Sequence, residues 1–284
     1  MEIAVLIKQV PDTAAVTPRA MKADGTLNRS ALPAVFNPED LNALELALQL
    51  RETYGATVTA MTMGPPAAAE VLRDALFRGA DRVFLLSDRK FAASDTLATS
   101  TVLSRALEKQ GPFDLVICGT QAIDGNTAQV GPQVAEKLNI NQLTYVEAVE
   151  EIAGGIIRAR RVIEDGKEIV RSALPVLLTV TDTANIPRPW SVKNIMKYKN
   201  AKTALEVPEE KTLDRLKQKG LFIETLDCAK IDLDPSRCGI SGSPTMVKKI
   251  ENVVRRGKTH QKIELTDNGI KMLLTELIAD YTFD

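Results

Sequence analysis

The first 119 residues alternate between two kinds of segment, and this alternation constrains the fold more than any other feature of the chain. Four short runs are almost wholly apolar: EIAVLIK at 2–8, VTAMTMG at 58–64, RVFLLS at 82–87 and DLVICG at 114–119. Near-continuous apolar runs of this length suit the strands of a parallel sheet covered on both faces. Helical patterns lie between them. PEDLNALELALQLRETYG (38–55) carries acids in its first turn and ends at Gly55, AAAEVLRDALFRGA (67–80) ends at Gly79, and SDTLATSTVLSRALEKQG (94–111) opens on a Ser cap and ends at Gly111. The β-α-β-α-β-α-β order predicts an α/β fold built on a doubly wound, mainly parallel sheet. Right-handed crossovers then put helices on both faces.

The pattern changes after Leu138. LTYVEAVEEI, GIIRARRVIE and KEIVRSAL are separated by Gly154-Gly155 and Asp165-Gly166, and read as an antiparallel extension with tight turns. PVLLTVT (175–181) returns to a buried strand, and the polar, proline-marked stretch TDTANIPRPWSVKNIMKYKN (181–200) follows. From about residue 205 no sheet pattern is legible, and helices are expected over 208–219 and 266–280. The expected organisation is therefore an α/β domain over 1–204 and a C-terminal arm with helices over 205–284, packed on a partner or on its own domain. Residues 10–37 carry turn signals at Pro11-Asp12 and Asp24-Gly25 and read as a long excursion, a small hairpin. Long ordered loops are often functional.

Composition removes several function classes. Lys and Arg total 36 against 37 Asp and Glu, so the net charge of −1 gives no electrostatic case for nucleic acid or an anionic membrane. Aromatic residues make up 4%, too few to offer many stacking platforms. The three cysteines, Cys118, Cys228 and Cys238, form no C-x-x-C pair, and His260 is the single histidine, so neither a disulfide framework nor a metal site is expected. This usage fits a reducing, cytoplasmic protein. The apolar run in MEIAVLIKQVPD is too short for a signal peptide, and no segment has the apolar length of a membrane span. No catalytic set of side chains is expected. His260 reads as a solvated residue and Cys118 as a small core residue.

The segment most suggestive of binding is CGTQAIDGNTAQVGP (118–132), between a strand and the helical pattern QVAEKL. In open α/β sheets ligands sit beyond the carboxyl ends of the strands, which is where Cys118-Gly119 lies. A helix starting near Asn126 or Thr127 would aim free N–H groups and the positive end of its dipole into the same crevice, a good place for phosphate. Gly125 would let the backbone approach a ligand closely. Asp124 repels phosphate, so it is expected to meet a ribose hydroxyl, cap the helix or accept from a ring N–H. A Gly-rich packing turn with a capping aspartate fits the same residues. Three more strand ends open onto this crevice: Lys8 to Asp12, Asn37-Pro38-Glu39-Asp40, and Met63-Gly64-Pro65-Pro66, the last with Pro at a helix start.

These segments resemble the β subunits of the electron-transfer flavoproteins over nearly the whole chain. The most specific part is QAIDGNTAQVGP (121–132), joined by IKQVPD (7–12), FNPED (36–40), GPP (64–66), GADRVFLLSDRKFAASDTLATS (79–100) and NIPRPWSVKNIMKYK (185–199). The resemblance implies a Rossmann-like, adenine-nucleotide-binding sheet and a heterodimer with an α subunit that carries an electron-shuttling FAD. It implies a nucleotide held by Leu6 and Lys8, by Asn37, Pro38, Glu39 and Asp40, by Met63, Gly64 and Pro65, and by Gly119, Thr120, Gln121, Ala122, Ile123, Asp124, Gly125, Asn126, Thr127, Ala128, Gln129 and Val130. In the housekeeping branch of that family the nucleotide is a structural AMP. In the electron-bifurcating branch it is a second FAD, reduced by NADH, from which one electron goes to ferredoxin or flavodoxin and the other, through the α-subunit FAD, to an acyl-CoA dehydrogenase-type partner. TAQVGP resembles the bifurcating branch, although Asn126 stands where that branch often has Asp. Residues 185–199 resemble the family's recognition loop, with Trp190, Val192, Ile195 and Met196 as docking residues and Val192 where Leu is usual. A housekeeping β subunit holding AMP is the alternative, and a nucleotide-sensing module without a redox role is a third reading.

Overall fold

A computed structural model describes residues 1–12, 32–207, 209–246 and 262–279 of the 284-residue chain. In chain order the elements begin with β1 (Glu2–Leu6), the short strands β2 (Gln9–Pro11) and β3 (Ala34–Phe36), α1 (Pro38–Tyr54), β4 (Thr57–Met63) and α2 (Ala69–Arg78). Then come β5 (Arg82–Leu86), α3 (Thr96–Gln110), β6 (Leu115–Gly119), α4 (Val130–Leu138), β7 (Asn141–Ala153), β8 (Ile156–Ile163), β9 (Gly166–Ala173) and β10 (Val176–Val180). The last described elements are α5 (Val192–Tyr198), β11 (Lys202–Thr203), α6 (Glu210–Gln218), β12 (Phe222–Leu226) and α7 (Asp267–Ala279).

One ten-stranded sheet runs β11-β12-β5-β4-β1-β6-β10-β7-β8-β9. Every neighbouring pair from β11 to β7 is parallel, and β7, β8 and β9 pair antiparallel. The side-chain alternation of β1 sorts the core into two layers. Ile3, Val5 and Ile7 join α1 and α2 through Leu44, Leu48 and Leu72. Ala4 and Leu6 join α3 and α4 through Val102, Leu107 and Val134. Both faces are covered, as the apolar runs required. The chain walks outward from β1 to β4 to β5 and returns by α3 to β6 on the other flank of β1. The order therefore reverses between β1 and β6, and a crevice opens at their carboxyl ends.

Three local expectations change. Residues 222–226 were expected to lie outside any sheet, yet β12 pairs with β5 at Glu224↔Phe84. Its apolar run is broken by exposed Glu224, and a five-residue strand leaves little pattern to read. Helix α3 is capped by Asp95, whose side chain accepts from the Ala98 N–H, and not by Ser94. Helix α4 begins at Val130, later than Asn126 or Thr127. The excursion after β1 does open and close as an antiparallel pair, Gln9↔Phe36 to Pro11↔Ala34. Its middle, with Asp24-Gly25, lies outside the described residues, as does His260. The chain divides into two compact units, Met1–Lys248 and Lys249–Asp284. Among the described residues no helix is long and apolar enough to cross a membrane.

Candidate functional site

The first turn of α1 organises the crevice. Asp40 is buried, and its two carboxylate oxygens accept the Lys8 N–H and the Gly119 N–H, each at 2.9 Å. One side chain thus ties the ends of β1 and β6 across the switch point. Burial pushes Asp40 up to about 7, against the two amide bonds that favour its charge. The same packing explains Gly119: a Cβ there would lie 2.7 Å from Asp40 Oδ1 and 2.7 Å from Glu39 Cβ. Glu39 accepts the Gln121 N–H at 3.0 Å, and burial raises its pKa too. Asn37, fully buried, donates from Nδ2 to the Gln121 carbonyl (2.9 Å) and accepts the Ile123 N–H at Oδ1 (3.1 Å). Thr120 closes the other side, donating from N and Oγ1 to the Val180 carbonyl. Asn37, Glu39 and Asp40 thus turn their polar atoms inward and fix residues 119–123. Leu6 is buried in the core layer with α3 and α4, Pro38 is exposed, and Met63 packs on the same layer. Gly64, half-buried, donates its N–H to the Leu86 carbonyl, and Pro65 is exposed.

Beyond Ile123 the loop is held at its two ends. Both Asp124 carboxylate oxygens accept from Lys8 Nζ, at 2.7 and 2.8 Å, a cation 116 residues earlier. That pairing was not among the three roles expected for it. Gly125, Asn126 and Thr127 are exposed. A Cβ on Gly125 would meet nothing within 4 Å, and the positive φ values fall instead on Asn126 (50°) and Ala128 (52°). Gly125 is therefore an open position and not a strained one. The N–H groups of Thr127, Ala128 and Gln129 donate to no partner among the described residues. Ala128, with positive φ, is followed by Gln129 in the right-handed region (φ −98°, ψ −30°). Successive amides in such an arrangement form an anion-binding concavity. Helix α4 begins next to it with no side-chain cap, so its dipole adds to the same field. At the far end, Thr96 Oγ1 donates to Gln129 Oε1 (2.9 Å) and accepts from Gln133 Nε2 (3.4 Å).

The stretch 185–199 is anchored lower on α1 and on α2. Asn42 donates to the Asn185 carbonyl (2.8 Å) and Asn185 returns a bond to the Asn42 carbonyl (3.0 Å). Arg188 forks onto buried Glu45 at 2.7 and 3.0 Å and reaches Glu52 at 2.5 Å. The bonds to these carboxylates hold Arg188 above its usual pKa. Arg78 donates to the Arg188 carbonyl, and Trp190 meets Phe77 edge to face, centroids 6.0 Å apart. On this base Trp190 (52%), Val192 (76%) and Met196 (62%) stand exposed, with Ile186 at 91%, while Ile195 is half-buried.

Cys118 is a core residue, as expected: burial first, and the Asp40 and Glu39 charges second, raise its thiol pKa far above the ordinary value. Among the described residues no three His, Cys, Asp or Glu side chains are grouped to hold a metal. Sequence reasoning passed over Asp95, Ser243 and Thr245, which meet behind Thr96. The signal available was SGSPT at 241–245, a polar stretch between the two helices expected in the arm.

Comparison with known proteins adds the family. Residues 24–210 match the electron transfer flavoprotein domain. The electron transfer flavoprotein subunit beta of Thermoanaerobacterium thermosaccharolyticum is 45% identical, over 87% of this chain and 86% of the relative. The subunit of the same name from Clostridium acetobutylicum is 44% identical over 95% of this chain and 94% of its own. The acryloyl-CoA reductase electron transfer subunit gamma of Anaerotignum propionicum is 40% identical over 93% and 96%. A domain match over most of the chain, and full-length relatives at this identity, mean that the chain belongs to the electron-transfer flavoprotein β-subunit family.

Proposed function

We propose that this chain, paired with an α subunit, holds FAD in its Gly119–Val130 loop and is the electron-splitting half of an NADH-oxidising heterodimer in the cytoplasm. The observation that carries the reading is the row of amides at Thr127, Ala128 and Gln129, which have no partner among the described residues, beside the start of α4, which has no side-chain cap. Together they supply donors and a positive potential for a diphosphate. The outer residues Gly125, Asn126 and Thr127 are small and exposed, which leaves a path for a dinucleotide. The TAQVGP resemblance favours FAD over AMP, whose single phosphate the same amides would also fit. Bound there, FAD would supply hydride acceptance from NADH and division of the electron pair between ferredoxin or flavodoxin and the α-subunit FAD. The chain's own contribution is to bind and orient the nucleotide. Asp40 fixes the two strand ends, Asn37 and Glu39 fix the loop, and Lys8 pairs with the Asp124 charge.

The exposed face of Trp190, Val192 and Met196 fits docking of an acyl-CoA dehydrogenase-type partner, with Ile195 supporting it from beneath. Apolar anchors supply burial, and Lys193, Lys197 and Lys199 around them steer an acidic surface. Cofactor release tests the ligand. Denaturing the purified heterodimer should free about two FAD per complex, since each subunit would carry its own redox group. One FAD with stoichiometric AMP would replace the FAD reading with the AMP one.

A further inference from the structure

Helix α3 starts with a carboxylate that is held from outside the helix. Asp95 Oδ1 accepts the Ala98 N–H at 3.0 Å, an ordinary N-cap. Its Oδ2 accepts both the N–H (3.0 Å) and the Oγ1 hydroxyl (2.7 Å) of Thr245, 150 residues later. The Asp95 N–H donates to Ser243 Oγ at 2.9 Å, and that hydroxyl donates on to the Gly239 carbonyl at 2.6 Å. The Gly239 N–H donates to Ser94 Oγ at 2.9 Å. Burial pushes Asp95 up, and the bonds from Ala98 and Thr245 outweigh it and hold the carboxyl below its usual range. The turn is also packed in place: Gly239 has φ 59°, and a Cβ there would collide with the Lys90 carbonyl oxygen.

The next residue, Thr96, touches the nucleotide loop. Its hydroxyl donates to Gln129, the last loop residue before α4, and accepts from Gln133 in the first turns of that helix. Helices α3 and α4 pack side by side, so a shift at the start of one is transmitted to the start of the other. We propose that residues 238–245 are a positioning clamp for the nucleotide loop: by fixing Asp95 they fix Thr96, which holds Gln129 beside the amides that meet phosphate. The inference rests on the nucleotide site proposed above. It makes Asp95, Ser243 and Thr245 positioning residues that touch no ligand.

Asp95→Asn separates the clamp from the cap. Asparagine keeps an acceptor for Ala98, but its amide group faces the two Thr245 donors. In the intact heterodimer, release of the β-bound nucleotide into a chase of free FAD, and in a parallel arm free AMP, should speed up about 5- to 10-fold, the loss of hydrogen bonds to a charged group. Thr96→Val should do the same from the loop side. Because both cut one connection, the double variant should release nucleotide no more than about twofold faster than the worse single variant. If Asp95→Asn does not assemble, Ser243→Ala, which removes one hydroxyl, carries the same expectation. An unchanged release rate, or two effects that multiply, overturns the clamp. Thr127→Glu, which sets a carboxylate against the phosphate at the loop mouth, tells the two failures apart. Nucleotide retained in that variant overturns the site itself, whereas nucleotide lost there but undisturbed in Asp95→Asn overturns the clamp alone.

Discussion

The loops 119–130 and 185–199 hang from the same helix and do opposite things with what they expose. The first turn of α1 holds one loop through Asn37, Glu39 and Asp40. Later turns hold the other through Asn42, Glu45 and Glu52. In both, polar side chains of α1 and its N-cap, all but Glu52 buried or half-buried, supply hydrogen bonds to irregular backbone or to the side chains it carries. The difference lies in the groups left over. The first loop presents backbone amides over small side chains, which suits an anion. The second pairs its polar groups inward and presents Trp190, Val192 and Met196, which suits a protein surface. A polar scaffold of one kind thus serves two recognition tasks, and the tasks should separate under mutation.

The largest separation is expected in the second loop. Trp190→Ala with Val192→Ala removes two central anchors, and binding of the dehydrogenase partner should weaken by about 100-fold or more, as for paired hot-spot residues. Its nucleotide should stay, and reduction of a small dye should be unchanged. A partner titration beside a dye assay measures this. In the first loop, Asn37→Ala strips the Gln121 carbonyl and the Ile123 N–H of their partner. Nucleotide affinity should fall by about 10-fold, from a penalty of about 1–3 kcal/mol that is shared between folding and binding. The smallest effect sharpens the contrast through pH. Because burial raises the Asp40 pKa to about 7, the stability it contributes is full below the ordinary aspartate range and is lost as the pH rises through about 7. Asp40→Asn should flatten that slope in thermal melts of the heterodimer, while the Trp190, Val192 variant keeps it.

Much of this arrangement is readable in the sequence. The four strands and the three helices between them were legible because each strand is almost wholly apolar and each of those helices ends in a glycine. The hairpins of β7, β8 and β9 were legible from their turn residues. The loop itself stood out because its small residues exceed what a turn needs. Other parts were hidden for physical reasons. The Lys8–Asp124 pair spans 116 residues, and no local pattern encodes such a contact. FNPED was read as ligand-facing, whereas Asn37 and Asp40 are buried and bond to the protein. A polar residue at a helix entry looks the same in sequence whether it points out or in. The start of α4 was placed early because Asn126 and Thr127 are good caps, and in the structure both lie in the loop before it. The strand β12 and the contacts of Ser243 and Thr245 depend on the edge of β5 and the start of α3, which come from distant sequence.

The separation of tasks is tested most directly by two readings on two variants: nucleotide retained by the heterodimer after gel filtration, and affinity for the dehydrogenase partner. The account predicts that Asn37→Ala loses nucleotide and still binds the partner, and that Trp190→Ala with Val192→Ala keeps nucleotide and no longer binds it. If either variant loses both, or if Asn37→Ala keeps its nucleotide while partner binding falls, the two loops do not divide the work and the account is contradicted.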